Sequence, residues 1–258
     1  MKNMNLVLDI GNTNIIFGFY KESRLLSSWR FQSDTLKTED EYYAMIKVIA
    51  ADRELDLKKI KITAMSSVVP ELTNTFLHLI EKYLDCSCIN VNAYTDLGLK
   101  FPVPDPGFIG SDLIVNAYSA INKYKENCII CDFGTATTIQ LISKKGFFYG
   151  TAIIPGVITS TETLFKKASQ LSGIKIKETP KIIGTNTEDA LLAGILKGNS
   201  LMTDGFIDKI KEEYKNLTDI KVIATGGIAK LICKYTTKVD FVDPFLTLEG
   251  LNRVCNRN

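Results

Sequence analysis

Leu6-Val7-Leu8-Asp9-Ile10-Gly11-Asn12-Thr13-Asn14-Ile15-Ile16 is an apolar run that closes on an aspartate, breaks at a glycine and small polar residues, and resumes with isoleucines. Apolar, β-branched stretches on either side of a Gly-containing turn read as a hairpin, with one strand at residues 6–8, a Gly-Asn-Thr turn and a second strand at residues 15–20. The same pattern returns at Ile129-Ile130-Cys131-Asp132-Phe133-Gly134-Thr135-Ala136-Thr137-Thr138-Ile139. Asp9 and Asp132 stand nearly half of the 258 residues apart. A repeat at that distance predicts a duplicated α/β lobe, each copy presenting a turn with a carboxylate at the strand end.

Around these repeats, residues 40–53 and 70–84 carry apolar positions at helical spacing, and Met65 to Val69 read as a short strand turning into Pro70. Phe101 to Gly107 holds three prolines and reads as a loop that delivers the chain to a helix over residues 112–124. These elements place an N-terminal lobe at residues 1–118 and a C-terminal lobe at 119–258. The Ala152 to Ile158 stretch and Thr161 to Phe165 read equally as core or as an apolar interface.

Thirty-one basic and 29 acidic residues leave a net charge of +2, too weak a field to argue for nucleic acid or an anionic membrane as partner. The N-terminal apolar run is too short for a signal peptide or a membrane span, so the expected location is cytoplasmic. Six cysteines are too sparse for a disulfide scaffold, and Cys128 and Cys131 fall inside a buried strand, where the spacing reads as packing. The single histidine, His78, reads as a half-exposed helix residue, which leaves Ser-His-Asp catalysis and His-based zinc sites without material.

A Gly-containing turn exposes backbone N–H groups, Thr and Asn side chains add donors, and an adjacent Asp can hold a cation, so such a turn can cradle a phosphate. Either turn alone is as well explained by ordinary turn chemistry. Two of them facing one cleft would clamp a polyphosphate, with the two carboxylates within roughly 10 Å. Lys221-Val222-Ile223-Ala224-Thr225-Gly226-Gly227 is a strand ending in Gly-Gly, where a base and ribose could approach the backbone, or simply a strand-to-helix turn. Neither G-x-x-x-x-G-K-[ST] nor G-x-G-x-x-G occurs.

In their order these residues resemble the superfamily of acetate and sugar kinases, heat-shock-protein ATPases and actin, and within it the type III pantothenate kinases. Asp9-Ile10-Gly11-Asn12-Thr13 is similar to that family's first phosphate motif, Asp132-Phe133-Gly134-Thr135-Ala136-Thr137-Thr138 to its second, and Thr225-Gly226-Gly227 to its adenosine motif. Gly110-Ser111-Asp112, Ile154-Pro155-Gly156, Gly184-Thr185-Asn186-Thr187 with Ala190 and Gly194, and the run from Asp243 to Leu251 extend the match.

The resemblance implies an actin-like, ribonuclease H-like fold of two similar lobes with a nucleotide cleft between them. It implies phosphorylation of pantothenate by ATP to 4′-phosphopantothenate, the first step of coenzyme A biosynthesis. ATP would be held by Asp9, Ile10, Gly11, Asn12, Thr13, Asn14, Ile15 and Ile16, with Gly134, Thr135, Gly226 and Gly227. Asp9 would meet Mg²⁺ through water, and Asp132 a monovalent cation, K⁺ or NH₄⁺. Asp112 would be the general base, whereas residue chemistry alone also allows Ser111 or Asp112 to be a helix cap. Gly110, Ser111, Leu113 and Thr187 would join it at the substrate; Thr187 alternatively reads as an N-cap. A homodimer is implied, with Thr187 reaching the partner's pocket. Leu113 replaces the family's arginine, and Val103 a tyrosine, for which Phe101 offers ring but no hydroxyl. Two other readings keep the fold: a nucleotide-binding regulator, or a kinase for another small hydroxylated substrate.

Overall fold

A computed structural model describes residues 3–167, 175–179 and 181–257. The chain divides into two compact units, residues 1–98, 103–119 and 246–258 in the first, and 99–102 and 120–245 in the second.

In the first unit, β1 (Met4–Ile10), β2 (Asn14–Lys21), β3 (Arg24–Gln32), β4 (Ile60–Ser67) and β5 (Ser87–Val91) form one sheet in the order β3-β2-β1-β4-β5. β1 runs antiparallel to β2 and parallel to β4, so the central strand is buried on both faces. One face packs Leu6, Leu8 and Ile10 with Phe17, Phe31 and helices α1 (Glu39–Asp52) and α2 (Pro70–Tyr83), through Tyr42, Ile46, Leu72 and Phe76. Thr38 and Glu41 form a capping box that starts α1, and Pro70 starts α2 where a missing N–H costs nothing.

On the other face lies α8 (Leu246–Arg257). A side chain at Gly18 would come within 2.8 Å of Val7 and 3.3 Å of Leu248, so glycine is what lets this helix approach the sheet. Gly250 does the same toward α3 (Ser111–Tyr124), where a Cβ would stand 2.8 Å from Val115. Asn5 donates to both Asn252 (2.9 Å) and Asn256 (2.8 Å), and those two amides donate in turn to the Glu22 carbonyl. A single boundary between 118 and 119 therefore describes the chain incompletely. The apolar stripe of α8, with Leu248, Leu251 and Val254, is buried in the first unit, although the sequence reading assigned it to the second lobe.

The second unit repeats the plan. β6 (Asn127–Phe133), β7 (Ala136–Ile142), β8 (Phe148–Pro155), β9 (Ile220–Thr225) and β10 (Phe241–Val242) lie in the order β10-β9-β6-β7-β8. Antiparallel and parallel pairings fall at the matching places, β6 with β7 and β6 with β9. Ile129, Cys131 and Phe133 build its core with Val157 of α4 (Val157–Lys167), Ile207 of α6 (Gly198–Glu213) and Ile232 of α7 (Ala229–Ile232). Between α5 (Thr187–Leu192) and α6 the helix opens into a π segment, Ala193–Lys197.

Cys128 and Cys131 are both buried in β6; burial lifts Cys128 to about 12 and raises Cys131 as well, which suits packing thiols rather than thiolate ligands. His78 is exposed on α2, not half-exposed, because Phe76, Leu79 and Ile80 take the buried side. Among the described residues no helix is long and apolar enough to cross a membrane.

Candidate active site

The first hairpin is closed by Gly11, whose amide donates to the Asn14 carbonyl at 3.0 Å, and by the Ile10 to Ile15 pairing. Ser33, just past β3, pins the loop from outside: its hydroxyl donates to the Gly11 carbonyl at 2.5 Å and its amide to Thr13 at 3.0 Å. Asn12 and Thr13 are exposed at the tip, and Asp9 is half-buried, opposite Ser66 of β4.

Ser66 then links this strand end to α3. Its hydroxyl is 3.0 Å from that of Ser111, which also donates to the Ser67 carbonyl at 2.9 Å, while the Val68 amide reaches the Ile10 carbonyl at 3.0 Å. The first turn of α3 is thereby fixed to the strands that carry Asp9. Asp112 sits in that turn, accepting from the Leu113 amide at 2.9 Å. A methyl group at Gly110 would fall 2.4 Å from the Asp112 carboxylate, so glycine leaves that carboxylate its place. Burial raises the Asp112 pKa above its ordinary 3.8, opposed by hydrogen bonds from the amides of Leu113 and Asp112 itself. Contact with a helix-start amide is what a cap would make, while a half-buried carboxylate with a raised pKa suits a base. Leu113 is buried, 7% exposed.

In the second unit the turn is a residue shorter, closing at the pair Phe133 and Thr137. Support again comes from beyond the third strand. Thr159 donates to the Thr135 carbonyl at 2.9 Å, and a Cβ on Gly156 would meet that carbonyl at 2.1 Å, so the Ile154-Pro155-Gly156 segment lies directly on the turn. Asp132 pairs in register with Thr225 of β9, as Asp9 does with Ser66. Gly226 follows with φ +94°, and the point its side chain would occupy is 2.6 Å from both Asp132 Oδ1 and the Phe133 carbonyl oxygen. The Asp132 carboxylate and one peptide carbonyl thus both border this point, oxygen donors of the type that alkali and alkaline-earth cations take. Among the described residues no three His, Cys, Asp or Glu side chains gather as a metal site. Single carboxylates such as Asp9 and Asp132 fit cations whose other ligands are phosphate oxygens and water.

Thr187 is the exposed first residue of α5, and the cap is its neighbour Asn186, which accepts from the Asp189 amide; the N-cap alternative for Thr187 does not hold. Gly184, Thr185, Asn186 and Thr187 line an open hollow of about 540 Å³ with Ala190 and Leu191. Phe101 packs against Phe148 in the second unit, ring centroids 5.9 Å apart and planes tilted by 52°.

Ser33, Ser66 and Thr159 were missed in the sequence. Each is a lone hydroxyl whose partner is a backbone or side chain distant along the chain, and the only available signal was its place just after or at the end of a strand.

Duplicated sheets of matching strand order, each with an aspartate leading into a Gly-containing turn, make this an actin-like α/β fold. A solved structure from Campylobacter jejuni, described as a Baf family transcriptional activator, shares the fold over 98% of each chain (TM-score 0.57, 20% identity). The ethanolamine utilization protein EutJ from Carboxydothermus hydrogenoformans does so over 96% of this chain and 89% of its own (TM-score 0.54, 13% identity). The family model for type III pantothenate kinase matches residues 5–209. A type III pantothenate kinase from Exiguobacterium sibiricum is 40% identical over 255 residues, covering 99% of this chain and all of that one. The chain belongs to the type III pantothenate kinase family.

Proposed function

We propose that this chain transfers the γ-phosphoryl group of ATP to the primary hydroxyl of pantothenate, giving 4′-phosphopantothenate and ADP, the first step of coenzyme A biosynthesis. What supports the reading most is the link from Asp9 through Ser66 and Ser111 to Asp112, which ties the proposed base to the turn proposed for the phosphates. Asp112 accepts the hydroxyl proton as the oxygen bonds to the γ-phosphorus and the bond to the ADP oxygen breaks. Asn12 and Thr13 in one unit, and Gly134 and Thr135 in the other, offer N–H and hydroxyl donors to the phosphates. Gly226 and Gly227 accept the adenosine. Asp9 would hold Mg²⁺, through water, and the bound ion would neutralise charge on the phosphates.

Asp132 serves a monovalent cation, K⁺ or NH₄⁺, a reading supported by its carboxylate and the neighbouring Phe133 carbonyl. Gly110, Ser111 and Leu113 serve the acceptor beside Asp112. The working form is a homodimer in the cytoplasm: Ile153 on edge strand β8 is 67% exposed, and Ile158 and Leu164 of α4 add apolar surface that a second copy would cover. Thr187 then reaches the partner's acceptor site.

ADP release, followed by a coupled assay with purified protein, ATP, Mg²⁺ and K⁺, tests the reading. Release that depends on added pantothenate is expected. ADP formed only with a different alcohol, or nucleotide bound without turnover, overturns it.

A further inference from the structure

The loop from Asp105 to Gly110, here the acceptor loop, leads into Asp112 and is fastened at two ends, and only one of them belongs to the machinery described above. Ser111 fixes the Asp112 end. The other end is held by Tyr94, whose hydroxyl donates to Asp105 Oδ1, an oxygen that also accepts from the Gly107 amide at 3.0 Å. From there the Ile109 amide turns back to the Pro106 carbonyl at 2.9 Å, and Gly110 and Asp112 follow.

Tyr94 does not owe its place to packing, since it is 69% exposed. It is presented instead by a tight turn after β5. Its amide donates to Asn92 Oδ1 at 2.9 Å, and Thr95 closes the turn in both directions, its amide to the Asn92 carbonyl and its hydroxyl accepting from the Asn92 amide, each at 3.0 Å. The ring then lies so close to the loop that a side chain at Gly107 would stand 2.7 Å from the Tyr94 hydroxyl. Phe108, next along, is 78% exposed, so the loop carries an open aromatic surface just ahead of Asp112.

We propose that Tyr94 and Asp105 form a clamp that positions the acceptor loop, so that the Tyr94 hydroxyl governs recognition of pantothenate and leaves ATP recognition alone. The proposal rests on the reading of Asp112 as the base. Tyr94 and Asp105 are positioning residues: they act through Gly107 on the loop as far as Gly110, one of the residues assigned to the acceptor, so their effect falls on pantothenate binding. The Asp105 carboxyl is held below its usual 3.8 first by the Tyr94 hydroxyl and then by the Gly107 amide, so the clamp is a charge-assisted hydrogen bond through the neutral range.

Steady-state kinetics of the full chain, with Tyr94→Phe, Gly107→Ala, the double variant and Asp105→Asn, test the clamp. Tyr94→Phe should raise KM for pantothenate about five- to tenfold, as loss of one hydrogen bond to a charged group does, with KM for ATP and melting temperature unchanged. Gly107→Ala should do the same by displacing the hydroxyl. In the double variant the nearest remaining atoms are Asp105 Oδ1 at 3.1 Å and the ring at 3.5 Å, so the combined effect should be no larger than that of Tyr94→Phe alone. Asp105→Asn should give a smaller rise in the same constant. Unchanged pantothenate kinetics in Tyr94→Phe, equal rises in both Michaelis constants, or additive effects in the double variant overturn the clamp while the reaction stands. A wild type that turns over no pantothenate overturns the reaction and the clamp together.

Discussion

Replacing Gly226 by alanine puts a methyl group where the structure has no room for one. The residue has φ +94°, a left-handed conformation costing an L-residue about 1–2 kcal/mol. Its Cβ would also lie 2.6 Å from Asp132 Oδ1 and from the carbonyl of Phe133, a buried strand residue that can yield only by moving β6. Overpacking of that kind adds about 1–3 kcal/mol. Together the two effects come to roughly 2–5 kcal/mol, which for a chain of this size lowers the melting temperature by on the order of 10 °C. Gly227, the adjacent residue of the same motif, is the internal control. Nothing lies within 4 Å of its missing Cβ and its φ is not left-handed, so Gly227→Ala should leave stability unchanged or raise it by up to about 1 kcal/mol. Thermal melts of the two variants followed by circular dichroism decide the matter. A Gly226→Ala protein that melts no lower than Gly227→Ala would refute the packing of the strand end onto Asp132.

Three further outcomes follow from the same geometry. Asp112→Asn should cut turnover by ~10²–10⁴-fold while equilibrium ATP binding persists, and the wild-type rate should fall in acid with a midpoint above 3.8, because burial favours the protonated carboxyl and a base must be ionised; activity within a few-fold of wild type would make Asp112 a cap. Asn5→Ala strips the buried amide that donates to Asn252 and Asn256, and urea unfolding should show a loss of about 1–3 kcal/mol with kcat unchanged in the folded protein. Replacing K⁺ by Na⁺ should weaken ATP use, and Asp132→Ala should remove that cation dependence along with most activity; a wild-type rate indifferent to K⁺ would end the cation assignment.

The sequence carried the hairpins and their repetition because a strand-Asp-Gly-strand pattern is local. It did not carry the third strand: β3 follows a two-residue turn at Glu22, a residue at φ +55°, and the alternation of Leu25, Trp29 and Phe31 was its only trace. Nor did it show that α8 returns to the first unit, since the evidence is a glycine at position 18 facing Leu248 and an asparagine at 5 facing Asn252, contacts between opposite ends of the chain. At the site, the motif residues were legible one by one. The hydroxyls of Ser33, Ser66 and Thr159, and the reach of Tyr94 to Asp105, were not, because each depends on a register or turn that only the folded backbone sets.

The most direct measurement is identification of the product. Incubation of the purified protein with ATP, Mg²⁺, K⁺ and pantothenate, followed by ³¹P NMR and mass spectrometry, should show 4′-phosphopantothenate accumulating mole for mole with ADP, and neither with Asp112→Asn at matched concentration and time. ADP without phosphopantothenate, or a phosphorylated product only when another alcohol replaces pantothenate, would contradict the assignment.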